Sequence, residues 1–246
     1  GAVRSLVGKM GWQAGGVGAS EAKNLREAIE NLDYVKRGNG KNLLLFFSSR
    51  ETYTVKGTGR NAKSRTKDTL QAVLSKRAVT QAFETTTYKA VIGSEYFVCY
   101  RIDVTGITPQ ENRFLNSRNA PLVILIDKTG KIQSVLVGKM ISEARLIAGM
   151  SRVVSADNIN LPRIISLAYN ALDAVYDFEL KRYQLNTSYQ AKARSYNKKK
   201  NARNKQYMDK AKAELDAVTK LKEEAIKKFK EFVASFLKKN DGVAVN

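Results

Sequence analysis

Histidine is absent from this chain of 246 residues, and cysteine occurs only once, as Cys99. The first absence removes the commonest general base and metal ligand. The second excludes thiol-disulfide exchange within one chain, because that reaction needs two sulfurs. No cluster of Cys, Asp or Glu has the spacing of metal ligands either. The sequence therefore predicts a non-catalytic protein without a metal site or a cofactor. An enzyme that uses Ser, Lys or Asp at an unrecognised site is the remaining alternative.

Long apolar runs are also missing, since no stretch approaches the roughly 18 residues that a membrane-spanning helix needs. Residues 1–12 mix Arg4 and Lys9 with apolar side chains, and they are too polar for the core of a signal peptide. These features predict a chain that is soluble or bound at the periphery of a membrane.

Acidic residues are scarce in comparison with basic ones. The 23 Asp and Glu stand against 43 Lys and Arg, which gives a net charge of +20. Such a charge favours association with polyanions, and these include nucleic acid, anionic lipid and acidic protein surfaces.

Residues 97–139 give the clearest prediction of architecture. Residues 97–104 are rich in β-forming side chains, and residues 120–127 contain an apolar run of the length of a buried strand. Between them, Pro109 and the apolar residues after it indicate a short helix. Turn-forming residues 128–131 and the alternating pattern of residues 132–138 then predict a β-hairpin.

These motifs resemble the second half of a thioredoxin-like fold. In that family a strand ending in Asp, a helix, a cis proline and a β-hairpin ending in Val-Gly follow one another. The corresponding residues here are Ile102-Asp103-Val104, Ala120-Pro121, Asp127-Lys128-Thr129-Gly130-Lys131 and Val137-Gly138. The resemblance covers residues 40–154 approximately and implies an α/β domain with a central mixed sheet flanked by helices, whose first-half strand is residues 42–49.

The chain departs from the redox members of that family directly after Phe47. There those proteins carry two cysteines separated by two residues at the start of a helix, whereas this chain has Ser48-Ser49-Arg50-Glu51-Thr52-Tyr53. Cys99 lies inside a predicted strand, where a free thiol usually behaves as a small buried hydrophobe. The resemblance implies a further feature, a backbone edge beside Pro121 that holds extended peptide and that Asn119 and Ala120 border.

Three regions are predicted along the chain. Residues 1–38 contain a glycine-rich stretch and an amphipathic helix. The glycines of residues 11–18 are interpreted as a flexible or close-packed linker rather than a phosphate-binding loop, because no strand is predicted before them. Residues 39–154 form the thioredoxin-like domain, and residues 155–246 form a basic helical region.

The third region should consist of long helices, because residues 163–239 contain neither glycine nor proline. Apolar residues recur every three or four positions, as in a coiled coil. In the first half they are Ile165, Tyr169, Leu172, Tyr176, Leu180 and Tyr183, and in the second half Met208, Ala211, Leu215, Val218, Ala225, Phe229, Phe232 and Phe236, with Lys222 as an interruption. The polar residues 195–204 lie between the halves. They indicate either the bend of a helical hairpin, which we favour, or the polar middle of one very long helix.

Basic residues concentrate in this region. Residues 180–212 contain eleven basic residues and a single acidic one, Asp209. The excess of ten positive charges in this stretch is half of the net charge of the chain. The candidates for polyanion binding are Lys181, Arg182, Lys192, Arg194, Lys198, Lys199, Lys200, Arg203 and Lys205. Interleaved tyrosines would suit nucleic acid, where cations neutralise phosphate and rings stack on bases. A solvated helix face or a protein contact explains the same pattern, and we favour this interpretation.

The sequence as a whole predicts a structural or interaction protein without catalytic activity. A redox-inactive thioredoxin-like scaffold would carry a basic helical arm that mediates protein-protein assembly, with a protein partner or with copies of itself. A homopolymer at the cell surface or outside the cytoplasm fits this interpretation. The alternative is a protein that binds nucleic acid or another polyanion through residues 180–212.

Overall fold

The computed structural model describes residues 9–37, 40–56, 63–85 and 87–241, with side chains up to residue 235. The chain divides into two compact units, Lys9–Pro162 and the helical region that begins at Arg163. The predicted boundary between residues 38 and 39 lies inside the first unit. Within the described part of the chain, no helix is long and apolar enough to cross a membrane.

A five-stranded mixed sheet forms the centre of the first unit. Its spatial order is β1-β5-β2-β6-β7. Strands β1, β5 and β2 are parallel, β6 is antiparallel to β2, and β7 is antiparallel to β6. The bounds are Trp12–Gly15 for β1, Leu43–Ser48 for β2, Val98–Asp103 for β5, Leu122–Ile126 for β6 and Ile132–Val137 for β7. The predicted α/β class with a mixed sheet is thus confirmed.

Short helices and turns connect these strands. Helices α1 and α2 lie between β1 and β2, α3 and α4 lie between β2 and β5, and α5 follows β7. Their bounds are Leu25–Glu30, Asp33–Lys36, Leu70–Ala78, Lys89–Ser94 and Glu143–Ser155. The polar residues after β2 form a small separate hairpin of β3, Thr52–Val55, and β4, Arg65–Asp68. The short helix expected after Pro109 is reduced to a 3-10 turn at Ser117–Asn119.

The core lies on both faces of β2 and β6, whose residues are all buried. On one face Phe47 and Ile124 join Ile29 of α1 in one cluster. On the other face the ring centroid of Phe46 lies 4.8 Å from that of Phe83. Central strands covered on both faces are expected to be apolar throughout, which is why these two segments could be recognised from sequence.

The glycine-rich residues near the N-terminus form an edge strand, so the predicted linker is wrong at this point. Trp12 pairs with Cys99 and Gly15 pairs with Ile102 in a parallel ladder. A Cβ atom on Gly15 would lie 3.0 Å from Ile102 and from the Tyr34 ring. Glycine is therefore required at this position by close packing rather than by flexibility.

Two long helices make up the second region. Helix α6 spans Leu161–Lys198 and helix α7 spans Ala202–Asp241, with a turn of residues 199–201 between them. The break therefore falls inside the predicted bend. Glu179 of α6 forms an ion pair with Lys222 of α7, and these two residues lie at similar distances from the turn. The helices accordingly run antiparallel.

The buried line of each helix, which we name the inner seam, follows steps of three and four. On α7 the predicted positions from Met208 to Phe232 are correct, since the residues at that spacing are buried or half-buried, and Phe236 lies outside the residues whose side chains are described. On α6 the prediction is wrong after Leu172, because Tyr176, Leu180 and Tyr183 are exposed. The inner seam of α6 instead contains Ile165, Ala168, Leu172, Val175, Glu179 and Arg182.

Candidate interaction surfaces

The carboxyl end of β2 is the place where the thioredoxin-like resemblance would put the first cysteine. Ser48 and Ser49 stand there, and both are buried. The Ser49 amide donates to the Ser75 hydroxyl of α3 at 3.0 Å, and the Glu51 amide donates to the Ser49 hydroxyl at 3.3 Å. The Ser49 hydroxyl is thus engaged in fixing the backbone rather than activated as a nucleophile.

An ion pair closes the same end of the sheet. The guanidinium of Arg50 donates to the Asp103 carboxylate, with an Nε to Oδ2 distance of 2.9 Å. Burial alone would raise the pKa of the Asp103 carboxyl, but hydrogen bonds from Thr105 and from Arg50, together with the charge of Arg50, lower it overall. Asp103 therefore stays ionised near neutral pH and is poorly suited to general acid catalysis.

The thiol of Cys99 is equally unsuited to chemistry. Burial and, secondarily, the charge of Glu95 raise its pKa to about 12. A thiol with such a pKa is protonated near neutral pH, and the thiolate is the reactive species. Among the residues that the structure describes, no group of three or more His, Cys, Asp and Glu could hold a metal ion.

The Ala120–Pro121 peptide bond is cis, as the resemblance implied. The loop before it is held from within, since the Asn119 amide donates to the Asn116 carbonyl at 3.2 Å and the Ala120 amide donates to the Ser117 carbonyl at 3.4 Å. The Asn119 side chain donates to the Phe114 carbonyl at 2.9 Å. A peptide strand aligned with this loop would therefore have to donate hydrogen bonds to its carbonyl groups, because the backbone donors are already used.

Exposed apolar side chains lie around this loop. Helix α3 contacts both the 3-10 turn before Ala120 and the 3-10 turn Gly138–Met140 after β7, and the Gly138 amide donates to the Pro121 carbonyl at 2.9 Å. These elements expose Leu70 by 63%, Val73 by 49% and Met140 by 50%. We name the exposed residues of this region, Leu70, Val73, Asn119 and Met140, the proline surface, while Ala120 and Pro121 themselves are buried.

A cavity of about 600 Å³ lies beside the N-terminal glycines. Its lining includes residues 16–21, among them the acidic Glu21, and also Asp33 and Tyr34. No Lys or Arg belongs to this lining, and α1, which follows the glycines, has only six residues. Although a strand does precede the glycines, this environment is unsuited to a phosphate group.

The turn between α6 and α7 brings together seven of the nine predicted polyanion-binding residues. Lys192, Arg194 and Lys198 belong to the last two turns of α6, Lys199 and Lys200 lie in the connection, and Arg203 and Lys205 open α7. We name residues 192–205 the hairpin tip. No carboxylate occurs in the sequence between Glu179 and Asp209, so nothing in this stretch neutralises the cations.

Asparagines fix the shape of the hairpin tip. The Asn201 side chain accepts from the Asn204 amide at 2.7 Å and caps α7, while the Asn204 side chain donates to the Lys199 carbonyl at 2.9 Å. Arg203 donates to the Tyr207 hydroxyl at 3.1 Å and lies over its ring. The cations are thus presented from a defined turn with one exposed aromatic ring beside it.

The other two predicted residues lie elsewhere. Lys181 and Arg182 are eleven and ten residues from the hairpin tip along α6. Arg182 donates to Glu179 with an Nη2 to Oε1 distance of 3.1 Å, and Glu179 also pairs with Lys222. Arg182 therefore belongs to an ionic group in the inner seam, and the prediction that groups it with the polyanion-binding residues does not fit its position.

Sequence reasoning missed the apolar part of the proline surface. Leu70 and Val73 have helical spacing, but nothing in that spacing tells which side chains face solvent.

No family model matches this chain, and comparison with curated proteins and with solved structures gave no match. Function is therefore inferred from geometry and chemistry alone.

Proposed function

We propose that this chain is a non-catalytic interaction protein, in which a thioredoxin-like domain holds an extended segment of another polypeptide at the proline surface. The observation that carries the proposal is the set of exposed apolar side chains, Leu70, Val73 and Met140, around a cis proline. Contiguous exposed apolar side chains on a protein surface often mark a binding site for another chain.

The strand order supports a thioredoxin-like domain. Three parallel strands, β1, β5 and β2, are followed in space by the antiparallel β6, which begins directly after the cis proline, and by β7. The replacement of the thiol pair supports the loss of redox chemistry, since buried serines and the Arg50–Asp103 pair occupy that place. A thioredoxin-like domain that has lost its thiol pair can still bind a polypeptide without catalysing a reaction.

A selected peptide tests this proposal directly. Peptides are selected from a displayed random library on the full chain, and the best one is titrated by fluorescence anisotropy. We expect Val73→Glu combined with Met140→Glu to weaken binding about tenfold or more, because each change puts a charge against a buried apolar contact. Val135→Glu is the matched control, because Val135 is an exposed apolar residue of β7 that pairs with Ile124, away from Pro121.

Two results would contradict the proposal. One is equal affinity of the selected peptide for the double variant and the unmodified chain. The other is failure of the selection to yield any peptide that binds.

Polyanion binding at the hairpin tip is the second candidate function, and the clustering of seven cations without a carboxylate favours it. Phosphate groups that meet such a cluster release counterions, which makes the affinity strongly dependent on salt. Arg203 and Tyr207 form a stacked pair at its edge, and a base could pack on it.

A single-stranded oligonucleotide titrated at several salt concentrations tests this second function. Replacing Lys198, Lys199, Lys200 and Arg203 with glutamine should lower the slope of log affinity against log salt by about 3, which is about 0.7 per lost phosphate contact on a single strand. Replacing Lys220, Lys227, Lys228 and Lys230 of α7 with glutamine removes the same charge and serves as the control. Equal slopes for the two quadruple variants would show that the hairpin tip is not the binding site.

A further inference from the structure

Helix α6 carries a second apolar line in addition to its inner seam. Tyr176, Leu180 and Tyr183 expose 59%, 48% and 69% of their surface. They lie one residue after Val175, Glu179 and Arg182 of the inner seam, and one residue corresponds to about 100° around a helix. Large apolar side chains in a row are unusual on a free helix surface and indicate a contact with another chain.

This line continues with polar residues in both directions. Steps of three and four place seven residues on one side of α6, and every one of them is exposed: Asp173, Tyr176, Leu180, Tyr183, Thr187, Gln190 and Arg194. We name them the outer stripe. It is about 32 Å long at 1.5 Å per residue.

The outer stripe is complementary to itself. Tyr183 lies near its middle, with an acid at one end, Asp173, and a base at the other, Arg194. Neither of these end residues forms an ion pair within the part of the chain that the structure describes. When a second copy runs antiparallel, each Asp173 meets an Arg194 of the other copy, and the two Tyr183 rings meet at the two-fold axis.

The positions between the ends also match in size. In the same antiparallel register, Leu180 lies opposite Thr187 and Tyr176 lies opposite Gln190, so a large side chain faces a smaller or flexible one. Parallel pairing would instead place Asp173 against Asp173 and Arg194 against Arg194. Charge complementarity therefore selects the antiparallel arrangement, whose two-fold symmetry is the commonest among soluble oligomers.

We propose that the outer stripe is a dimer interface, with α6 of one copy packed antiparallel against α6 of a second copy. The proposal rests on the proposed interaction function and deepens it, because it names a second copy of this chain as a partner of the helical region. The interface is closed by two identical ion pairs, and the apolar residues between them exclude water.

Charge exchange tests the register. The full-length variants Asp173→Arg and Arg194→Asp each place like charges opposite one another, and we expect each to weaken self-association about tenfold. Mixing the two variants should form a heterodimer with restored affinity, because every pair then joins unlike charges. The double variant Asp173→Arg with Arg194→Asp should likewise regain the homodimer, and sedimentation equilibrium measures all four species.

Cross-linking tests the position of the two-fold axis. Tyr183→Cys brings two thiols together in the proposed dimer, and under mild oxidation we expect a covalent dimer to form about tenfold faster than with Tyr207→Cys. Tyr207 is a matched control because it is an exposed tyrosine, at 45%, outside the outer stripe. The unmodified chain should give no covalent dimer, since Cys99 is buried.

Several outcomes would overturn the proposal. They are a monomer at every concentration, a dimer whose affinity no charge exchange alters, and equal cross-linking of the two cysteine variants. Because the peptide titration at the proline surface uses residues of the other unit, its result is independent of these measurements. Retained peptide binding with any of these outcomes removes the dimer interface and leaves the proposed function standing.

Discussion

Reversing the charge of Lys222 with Lys222→Glu should destabilise the helical hairpin by about 3 kcal/mol. Lys222 exposes only 16% of its side chain and lies against Glu179, which exposes 29%. The substitution removes the cation and places a second carboxylate beside the first in a poorly solvated seam. Arg182 already pairs with Glu179, so the carboxylate introduced at position 222 has no cation of its own. An unpaired charge in such a seam is far more costly than the loss of an ion pair at the surface.

Amide hydrogen exchange of the full chain measures this effect, because it reports the opening of α6 and α7 separately from the sheet. Lys220→Glu is the matched control, since Lys220 is exposed on the same helix and its change should cost less than about 0.5 kcal/mol. Glu179→Lys added to Lys222→Glu should recover part of the loss, because it restores an unlike-charge pair across the seam but leaves Arg182 beside a like charge. Equal protection in the two single variants would show that the ion pair does not stabilise the hairpin.

The same ion pair gives the hairpin an acid-dependent stability. Hydrogen bonds from Arg182 and Lys222, and to a lesser extent their charges, lower the pKa of Glu179 from 4.5 to about 2. A carboxyl whose pKa is lower in the folded than in the unfolded chain stabilises the fold at any pH above the unfolded-state pKa. The contribution of Glu179 is therefore complete above pH 4.5 and is lost as the pH falls to about 2. Partial solvation of Glu179 limits the loss to about 1–2 kcal/mol.

Phe46→Ala should destabilise the first unit by about 3–5 kcal/mol, the usual cost of removing a buried ring from a packed core. Phe46 is fully buried in the middle strand of the sheet, and its ring centroid lies 6.0 Å from that of Trp12 and 4.8 Å from that of Phe83. The cavity left behind would be lined by aromatic rings, which cannot collapse into it without shifting two other elements.

Urea denaturation followed by the fluorescence of Trp12, the single tryptophan, measures this loss. Leu70→Ala is a suitable comparison, because Leu70 is 63% exposed and its truncation should cost less than about 1 kcal/mol. A denaturation midpoint shifted equally by both variants would show that Phe46 does not form part of the stabilising core.

The central strands could be predicted from sequence because burial on both faces leaves a continuous apolar run. Residues 42–49 and 120–127 carry that signal, whereas β1 does not, since Gly15 in it is required by the close approach of Tyr34. Glycine in a strand weakens the pattern by which strands are recognised. The edge strand was therefore mistaken for a linker.

The inner seam of α6 was misassigned for a different physical reason. Two lines of residues with the same spacing run along this helix, and the large aromatic side chains are on the exposed one. The buried line uses small Ala168 and the charged Glu179, whose burial depends on the partner Lys222 on another helix. Spacing gives the period of a helix, but the choice between two parallel lines depends on tertiary contacts.

The candidate sites were predictable to different extents. The basic residues of the segment 192–205 are close together in the structure as they are in the sequence, because a short turn keeps sequence neighbours together in space. Arg182 did not follow its neighbours, since a carboxylate one turn earlier engages it. The proline surface joins residues from three distant segments, and only the fold could bring helix α3 into contact with the turns at Ser117–Asn119 and Gly138–Met140.

The lengths of α6 and α7 fix a distance in space. From Arg163 to Lys198 the helix advances about 52 Å at 1.5 Å per residue, and neither glycine nor proline interrupts it. Two antiparallel helices resist bending better than one. A molecule bound at the turn would therefore be held at a nearly constant distance from the opposite end of the hairpin. The region can thus act as a rigid spacer whose reach changes by about 1.5 Å for every residue inserted in each helix.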